Sequence, residues 1–372
     1  MKNIKLLFLF LFLSGFTFAQ TGYRLLVGTY TNTPAKSEGI YSYDFNDSTG
    51  NCRLLSITKN VINPSYLGLS PDGKFVYAVN ESGDASTVST FKYDDHSGEL
   101  QFLNKVASAG ADPCYITVDN KNVIVANYSS GSLAVFKRKE DGFLSPAYQI
   151  IKYHAKSIDP KGRQESSHAH MATFSPDHRF LLVVDLGGDL IYIYKYRPGK
   201  EKPLKLKRVV KTNAGSGPRH ITFSPGSKYA YLVHEFEGLL SAFSYHSGKL
   251  NKIQEVETKP VNFAGKVDGA EILVSADGHF LYESNRGDLN TISIFKISNN
   301  GTLQLVETVS SLGKGPRSFT IDPTGKFLLV AHQYSNDVVI FNRDATTGRL
   351  TDSGKRVQVG APVCLIFAAK EG

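Results

Sequence analysis

Basic, acidic and imidazole side chains stand at matching points of a pattern that recurs along this 372-residue sequence. One set of matching positions holds His170, Arg219 and Arg317, and a second set holds Glu81, Glu235 and Arg286. Arginine side chains bind carboxylates and phosphates, and they stabilise negative charge that develops on a carbonyl oxygen. A glutamate or a neutral histidine can accept a proton from water. These residue types indicate a site that binds an anionic or carbonyl-containing small molecule and moves a proton.

The recurring pattern is a short strand, a turn rich in Pro, Asp and Gly, a second strand that ends in a polar residue, and a hairpin of two further strands. Its period is roughly 50 residues, which is typical of repeat architectures such as β-propellers. Clear copies of the turn and second strand occupy residues 70–80, 175–185, 224–234, 275–285 and 322–332, and a looser copy occupies 118–127. We align the ends of the second strands at Gly28, Asn80, Asn127, Asp185, His234, Asn285 and His332.

Each repeat predicts a four-stranded antiparallel sheet. One such sheet cannot bury both of its faces, whereas seven sheets packed around an axis can, and a closed ring protects the sheet edges. The first repeat lacks its own first strand, but residues 362–367 match the first strands at 64–69 and 218–223. We therefore predict an all-β fold, a seven-bladed β-propeller of residues 20–372 as a single domain, closed when the C-terminal strand joins the N-terminal blade. A non-closed stack of sheets is the alternative.

This topology brings the start of each first strand beside the end of each second strand, at one mouth of the axial channel. The longest interval between repeats contains a loop, residues 153–170, that enters a first strand and so reaches the same mouth. Four arginines at one rim would repel one another, which predicts that the ligand supplies a negative charge. The predicted catalytic residues are His170, Arg219, Glu235 and Arg286, and the predicted substrate-binding residues are Arg163, Gln164, His168, Asn127, Asp185, His220, Arg317 and His332.

Some of these residues also have a structural interpretation. Polar residues at strand ends, such as Asn127 and Asp185, often satisfy backbone groups, and a single histidine at a strand start is often structural. Asparagine and aspartate oxygens are also ligands that Ca²⁺ accepts, so a calcium site is a further alternative. It would be formed by Asn80, Asn127, Asp185 and Asn285.

The charge balance narrows the classes of partner. The 42 Lys and Arg residues against 34 Asp and Glu give a formal net charge of +8, which favours a small anionic ligand over nucleic acid. The sequence contains no glycine-rich phosphate loop and no Cys/His zinc spacing. We therefore expect no nucleic-acid partner and no cofactor.

The first nineteen residues have the pattern of a secretory signal peptide. Lys2 and Lys5 precede an apolar run at residues 6–13, and Ala19 ends a motif of small residues at the cleavage point. We expect a periplasmic or secreted protein that begins at Gln20 and has no membrane span. An uncleaved N-terminal membrane anchor is the alternative, although the apolar run is shorter than the roughly 20 residues that a span needs.

Several motifs resemble those of a known family, the seven-bladed β-propeller lactonases, and the resemblance covers residues 23–368. This family includes the bacterial propeller-type 6-phosphogluconolactonases and is related to the fungal carboxymuconate lactonizing enzymes. The resemblance implies that His170, Arg219, Glu235 and Arg286 are active-site residues, because they match the His, two Arg and Glu proposed for the lactonizing enzymes. His234 departs from the Asn that many members have before the Glu. The motifs are Ala126–Ser132, Arg163–His170, Asp185–Asp189, Gly217–His220, His234–Glu235, Ser284–Gly287 and Gly315–Arg317.

Together these observations predict metal-independent hydrolysis of a sugar or sugar-acid lactone by a monomer, like that of 6-phosphogluconolactonase. Water must attack the ester carbonyl, so we expect Glu235 or His170 as the base and Arg219 and Arg286 as stabilisers of the carbonyl oxygen or product carboxylate. Three alternatives stay open: a cycloisomerase of the muconate-lactonizing type, a non-catalytic propeller that binds a saccharide or a protein, and a calcium-dependent lactonase.

Overall fold

The computed structural model describes residues 22–35, 37–159 and 162–370, and within these ranges the chain forms twenty-eight strands and no helix. The strands make seven four-stranded antiparallel sheets. The predicted seven-bladed propeller is therefore confirmed. The predicted signal peptide, residues 1–19, lies outside the described residues. No helix in the described ranges is long and apolar enough to cross a membrane.

Blades 1 to 3 contain the first eleven strands and the last one. Blade 1 consists of β1 (Tyr23–Thr29), β2 (Gly39–Phe45), β3 (Cys52–Lys59) and the C-terminal β28 (Pro362–Ala369). Blade 2 consists of β4 (Tyr66–Leu69), β5 (Phe75–Asn80), β6 (Thr87–Tyr93) and β7 (Leu100–Ala107). Blade 3 consists of β8 (Pro113–Val118), β9 (Asn122–Asn127), β10 (Ser132–Arg138) and β11 (Leu144–Lys152).

Blades 4 to 7 follow in chain order. Blade 4 consists of β12 (Ala169–Phe174), β13 (Phe180–Asp185), β14 (Leu190–Tyr196) and β15 (Leu204–Lys211). Blade 5 consists of β16 (Pro218–Phe223), β17 (Tyr229–His234), β18 (Leu239–His246) and β19 (Lys249–Glu257). Blade 6 consists of β20 (Gly269–Val274), β21 (Phe280–Asn285), β22 (Thr291–Ile297) and β23 (Leu303–Ser310). Blade 7 consists of β24 (Pro316–Ile321), β25 (Phe327–His332), β26 (Asp337–Arg343) and β27 (Leu350–Gln358).

The first strands of the blades form an inner ring. Each contacts the first strand of the next blade, in the order β28, β4, β8, β12, β16, β20, β24 and back to β28. Apolar side chains fill seven clusters, one between each pair of neighbouring blades. The second strands lie between two strands of their own sheet and between two neighbouring blades, so most of their residues are buried. The core is thus a ring of inter-blade layers around the axial channel.

A serine before the turn fixes the link between the first and second strands. The Ser70 side chain accepts a hydrogen bond from the backbone N–H of Phe75 (2.9 Å), and Gly73 in the turn has φ = 68°. Blades 4, 5 and 6 repeat this serine bond, and in blade 7 an aspartate, Asp322, takes the role of the serine. The predicted turn chemistry is therefore present, with the left-handed backbone that glycine favours.

The ring closes as predicted, through pairing of β28 with β1 from Tyr23–Ala369 to Thr29–Pro362. The alignment of the second-strand ends in blade 1 is wrong by one residue. Thr29 faces Pro362 in the way that Asn127 faces Pro113 in blade 3, so Thr29 and not Gly28 is the matching residue. The cause is that β1 has no preceding turn in the sequence from which to count.

Candidate active site

Bulges at the starts of the first strands aim side chains at the mouth of the channel. In blades 3, 4, 5 and 7 one residue is left unpaired between two register pairs, and these residues are Cys114, His170, Arg219 and Arg317. A bulge redirects the side chain of the extra residue. The predicted column of first-strand residues is thus present, but no sequence pattern predicts the bulges that orient it.

The residue after each second strand is fixed by a common backbone hydrogen bond. Its N–H donates to a carbonyl in the loop before the first strand of the same blade, for example from Glu235 to Gly217 (2.7 Å) and from Arg286 to Asp268 (2.8 Å). Tyr30 makes the same bond to Ala361 (3.0 Å), which confirms the corrected alignment of blade 1. The seven matching residues are Tyr30, Glu81, Tyr128, Leu186, Glu235, Arg286 and Gln333.

These two columns and the loops beside them enclose a cavity of about 320 Å³. Five of the predicted site residues line it, namely Arg163, His170, Glu235, Arg286 and Arg317. Eight further residues complete the lining: Glu81, Asp112, Cys114, Tyr128, Ser129, Lys266, Asp268 and Tyr334. Arg219 lies directly behind Glu235, and its side chain is only 2% exposed.

Glu235 is the centre of an ion-pair cluster. Its Oε1 accepts a hydrogen bond from Arg163 Nη1 (2.6 Å), and its Oε2 accepts one from Arg219 Nε (3.0 Å) and lies 3.2 Å from Arg286 Nη2. Burial alone would raise the pKa of the Glu235 carboxyl, but the charges of Arg286, Arg163 and Arg219 lower it to about 2. Glu235 is therefore a carboxylate throughout the physiological range. Glu235 supplies one negative charge among these three arginines, so the ion pairs offset their repulsion only in part.

Arg219 stays charged although it is buried. Its Nη1 donates to the carbonyl of Ala270 (2.6 Å), and its Nε donates to Glu235. Burial, with the nearby charges of Arg286 and Arg317, lowers the pKa of Arg219 to about 10. This value still leaves the guanidinium protonated at neutral pH. Arg219 is therefore placed to hold Glu235 rather than to reach a ligand.

The long loop of blade 4 carries Arg163 to the cavity. Asp159 accepts hydrogen bonds from the backbone N–H groups of Arg163 (2.5 Å) and Gln164 (2.7 Å), and Gln164 donates to the carbonyl of Leu186 (2.8 Å). Arg163 also donates to the Tyr128 hydroxyl (2.7 Å). The loop is thus fastened on both sides of Arg163, which fixes one wall of the cavity.

His168 and Asp185 also help to fix the loop that carries Arg163. The backbone N–H of His168 donates to Asp185 Oδ1 (2.8 Å), and the His168 ring stacks on Tyr128 with centroids 4.5 Å apart. Neither residue lines the cavity, and neither does Gln164. The structure therefore places these three predicted substrate-binding residues in the support of Arg163.

His170 lines the cavity as a buried imidazole. Its ring stands edge-on to His220 (centroids 5.1 Å apart) and to Tyr128 (5.5 Å), and its Nδ1 has no hydrogen-bond partner among the described residues. Burial lowers the pKa of His170 well below 6.5, and the charge of Arg219 adds to this effect. His170 is therefore neutral at pH 7.

The opposite wall holds a second acidic residue, Glu81. Its Oε1 accepts hydrogen bonds from the Tyr30 hydroxyl (3.0 Å) and from Ser65 Oγ. The guanidinium of Arg317 lies over the Tyr30 ring, 5.6 Å from the centroid. Arg317 makes no hydrogen bond or ion pair to any residue of the described ranges, so its donors are available to a ligand.

Three other predicted substrate-binding residues lie outside the cavity lining. Asn127 donates to Ser132 Oγ (3.1 Å), and His332 Nδ1 is 3.0 Å from Asp337. His220 Nδ1 is 2.9 Å from Glu271, deeper in the channel.

Within the described ranges, no group of three or more His, Cys, Asp or Glu side chains is arranged to hold a metal ion. The four residues suggested for calcium are in four different blades.

Sequence reasoning missed part of the lining. Glu81 stands in the same column as Glu235 and Arg286. Tyr128 and Cys114 also stand in the aligned columns, but none of these three lining residues is among the predicted site residues. Lys266 and Asp268 lie in the loop before β20, and their side chains are paired at 2.8 Å. A loop that enters a first strand reaches the mouth of the axial channel, so this position in the chain could have predicted both residues.

Comparison with known proteins identifies relatives along nearly the whole chain. The family described as "Lactonase, 7-bladed beta-propeller" matches residues 24–367. A 6-phosphogluconolactonase of Bacillus subtilis is 36% identical over 360 residues, covering 94% of this chain and 99% of the relative. One of Formosa agariphila is 36% identical over 337 residues, covering 88% and 94%. The solved structure of the periplasmic gluconolactonase of Pseudomonas aeruginosa is 36% identical with a TM-score of 0.89, covering 94% of this chain and all of that one.

Replacing Glu235 with Gln tests the ion-pair cluster through stability. The folded-state pKa of about 2 lies below the ordinary 4.5, so the ionised carboxylate stabilises the fold above pH 4.5 and this contribution is lost as the pH falls towards 2. The difference corresponds to roughly 3 kcal/mol. We expect Glu235→Gln to lower the free energy of unfolding at pH 7 by about 3–5 kcal/mol, because Arg219 loses its partner. Denaturant unfolding between pH 3 and pH 7 measures it.

The matched control is Glu307→Gln, which removes a more exposed pair with Arg349 and should change stability by less than about 1 kcal/mol. The difference in the free energy of unfolding between the wild type and Glu235→Gln should become smaller below pH 4.5. A gap that is constant with pH would contradict the assignment of Glu235 as the ionised centre.

Proposed function

The chain belongs to the family of seven-bladed β-propeller lactonases, and on this basis we propose that it hydrolyses the lactone ring of a sugar or sugar acid in the cavity described above. The observation that carries this proposal is that a neutral, buried imidazole, His170, and two guanidiniums, Arg286 and Arg317, line the same cavity. A base and a stabiliser of negative oxygen are the two groups that ester hydrolysis requires.

His170 is our proposed general base. Water must lose a proton as it attacks the lactone carbonyl, and a neutral imidazole can accept it. The environment keeps His170 uncharged at pH 7, since burial and the surrounding arginines disfavour the imidazolium form. The same charges stabilise the carboxylate product, so the site is suited to neutral substrate and anionic product.

Glu235, the other candidate for the base, is better suited to a positioning role. A carboxyl whose pKa is about 2 has little tendency to take a proton at neutral pH. It also accepts hydrogen bonds from Arg163 and Arg219 and is paired with Arg286. We propose that Glu235 holds these guanidiniums in place for the ligand.

Arg286 and Arg317 are the proposed stabilisers of the carbonyl oxygen as it becomes negative. Arg286 is paired with Glu235 at 3.2 Å, whereas Arg317 has no ion pair within the described part of the chain. A donor held in advance in a water-poor site stabilises the transition state without reorganisation. Arg317 is therefore also the natural partner for the carboxylate that forms when the ring opens.

The balance of charges in the lining bears on the substrate. Four basic residues, Arg163, Lys266, Arg286 and Arg317, face four acidic ones, Glu81, Asp112, Glu235 and Asp268. Such a lining suits a ligand with many hydroxyl groups and little charge of its own. We propose an unphosphorylated aldonolactone, like the substrate implied by the name of the Pseudomonas aeruginosa relative, rather than a phosphorylated one.

A lactone panel in isotopic water tests this function. Purified protein should release acid from unphosphorylated aldonolactones faster than from 6-phosphogluconolactone. Hydrolysis in water labelled with ¹⁸O should place one solvent oxygen in the product carboxylate. Isomerisation without incorporation would indicate a cycloisomerase, and binding without turnover would indicate a non-catalytic propeller. Either result would overturn the proposed function.

Replacing His170 with Gln tests the proposed base. We expect kcat to fall by about 10²- to 10⁴-fold with a smaller change in KM, because the variant cannot accept the proton of water. In the wild type, the acid side of the kcat/KM profile should decline only below pH 6.5, since the pKa of His170 is lowered. Stopped-flow measurement of acid release from pH 5 to pH 7 gives both the kcat of His170→Gln and the pH profile of the wild type.

The exposed His279 provides the control, since His279→Gln should leave the rate unchanged. A His170→Gln variant with the wild-type rate and fold would rule out His170 as the base.

We also propose that residues 1–19 are a cleaved signal peptide and that the mature protein acts in the periplasm or outside the cell. The leader-like sequence and the periplasmic description of the Pseudomonas aeruginosa relative support this location. Intact-mass measurement of the protein recovered from a periplasmic extract should give a chain that starts at Gln20. A chain that retains Met1 would contradict the proposal.

A further inference from the structure

Glu81 is a second carboxyl group in the cavity wall that the proposed mechanism has not yet used. It follows β5 in blade 2, and its backbone N–H is held by the carbonyl of Asn63 (3.3 Å). Both hydrogen bonds to its side chain, from Tyr30 and Ser65, are to Oε1. Its Oε2 has no hydrogen-bond partner among the described residues, although the side chain lines the cavity. One carboxyl oxygen is therefore fixed and the other is available to a ligand.

The surroundings of Glu81 differ from those of Glu235. Three guanidiniums contact Glu235, whereas Glu81 is bound by two neutral hydroxyl groups. The charged and titratable groups near Glu81 are Arg317, Tyr30, Asp112 and Cys114. Burial raises the pKa of Glu81 above 4.5. The charge of Arg317 and the hydrogen bonds from Ser65 and Tyr30 act against this effect, and the charge of Asp112 adds to it. Among the four carboxyl groups of the lining, Glu235 is thus kept ionised and Glu81 is shifted towards its protonated form.

Opening an aliphatic lactone requires both an acid and a base. The carbon–oxygen bond of the ring breaks, and the ring oxygen leaves as an alkoxide, a strongly basic group, unless it is protonated as the bond breaks. His170 takes a proton from water, so it is occupied in that role. Two titratable groups whose environments shift their protonation in opposite directions are the usual basis for separate acid and base roles in one site.

We propose that Glu81 is the general acid that protonates the ring oxygen of the lactone, an inference that rests on the proposed function. Water oxygen bonds to the carbonyl carbon and its proton passes to His170. The bond between the carbonyl carbon and the ring oxygen then breaks, and the proton of Glu81 passes to that oxygen, which becomes the hydroxyl group of the product. Exchange with solvent returns the proton from His170 to Glu81, so the cycle consumes one water and no other reactant.

Tyr30 and Ser65 are the positioning residues of this step. Both hydroxyl groups donate to Oε1, which directs the proton of the acid to Oε2. Tyr30 also lies under Arg317, the proposed partner of the carbonyl oxygen. The acid and the oxygen stabiliser are therefore fixed by the same tyrosine, from the blade that closes the ring.

Glu81→Gln tests the acid role through the leaving group. Glutamine retains the shape and hydrogen-bonding capacity of a protonated glutamate, but it cannot transfer a proton. For an aldonolactone, whose leaving group is an alkoxide, kcat/KM should fall by about 10²-fold or more. For dihydrocoumarin, a lactone whose leaving group is a much less basic phenoxide, the loss should be at least tenfold smaller.

The pH dependence of activity on the aldonolactone gives a second readout, for which dihydrocoumarin is not needed. The wild type should lose activity on the alkaline side as Glu81 ionises, and Glu81→Gln should show no such decline in its remaining activity. Thermal unfolding confirms that the variant is folded, and Glu257→Gln on the exposed face of β19 is the matched control.

The outcomes separate this inference from the proposed function. An equal loss on the two lactones, or an alkaline limb that persists in Glu81→Gln, would show that Glu81 binds the sugar without protonating it. A variant with full activity would also overturn the inference. A wild-type protein that hydrolyses no lactone would overturn the proposed function itself.

Discussion

The ion pairs of Glu235 are the interaction on which the rest of the site depends. The carboxylate follows the second strand of blade 5, and it meets Arg163 from the loop of blade 4, Arg219 from blade 5 and Arg286 from blade 6. Buried charges are costly unless they are paired and hydrogen-bonded. The cluster forms because the neighbouring blades 4, 5 and 6 pack side by side and bring three separate parts of the chain together, and it in turn holds the guanidiniums ready for a ligand.

This arrangement divides the work of the site by electrostatics. Burial keeps His170 neutral, and Arg219 and Arg286, which help to keep Glu235 ionised, add to this effect. On the far wall, burial raises the pKa of Glu81, although the charge of Arg317 and the hydrogen bonds from Ser65 and Tyr30 act against this effect. A propeller allows this separation, because matching positions of several blades lie at one cavity and can hold different residue types.

Much of the architecture could be predicted from the sequence. The serine-led turns and their period fixed the number of blades, and the match of residues 362–367 to other first strands fixed the closure. The order of columns followed from strand topology and brought His170, Glu235, Arg286 and Arg317 to one cavity. The alignment of blade 1 is one residue off at Gly28 because no turn precedes β1 in the sequence. For the same reason Tyr30 was not recognised as the residue that follows the second strand.

The parts that could not be predicted depend on side-chain distances. Sequence spacing does not reveal that Glu235 pairs with three arginines and offsets part of their repulsion. Nor does it distinguish a residue that lines a cavity from one that fastens a loop, as His168 and Asp185 do. Both distinctions require tertiary contacts between blades.

The most direct test of this account is the ionisation of Glu235 itself. Carboxyl-carbon NMR on protein labelled with ¹³C-glutamate can follow it, with the Glu235 signal identified by its loss in Glu235→Gln. The account predicts that this carboxyl stays ionised as the pH falls through 4.5 and titrates only towards about 2. A Glu235 that titrates at or above 4.5 would contradict the central role given to its ion pairs.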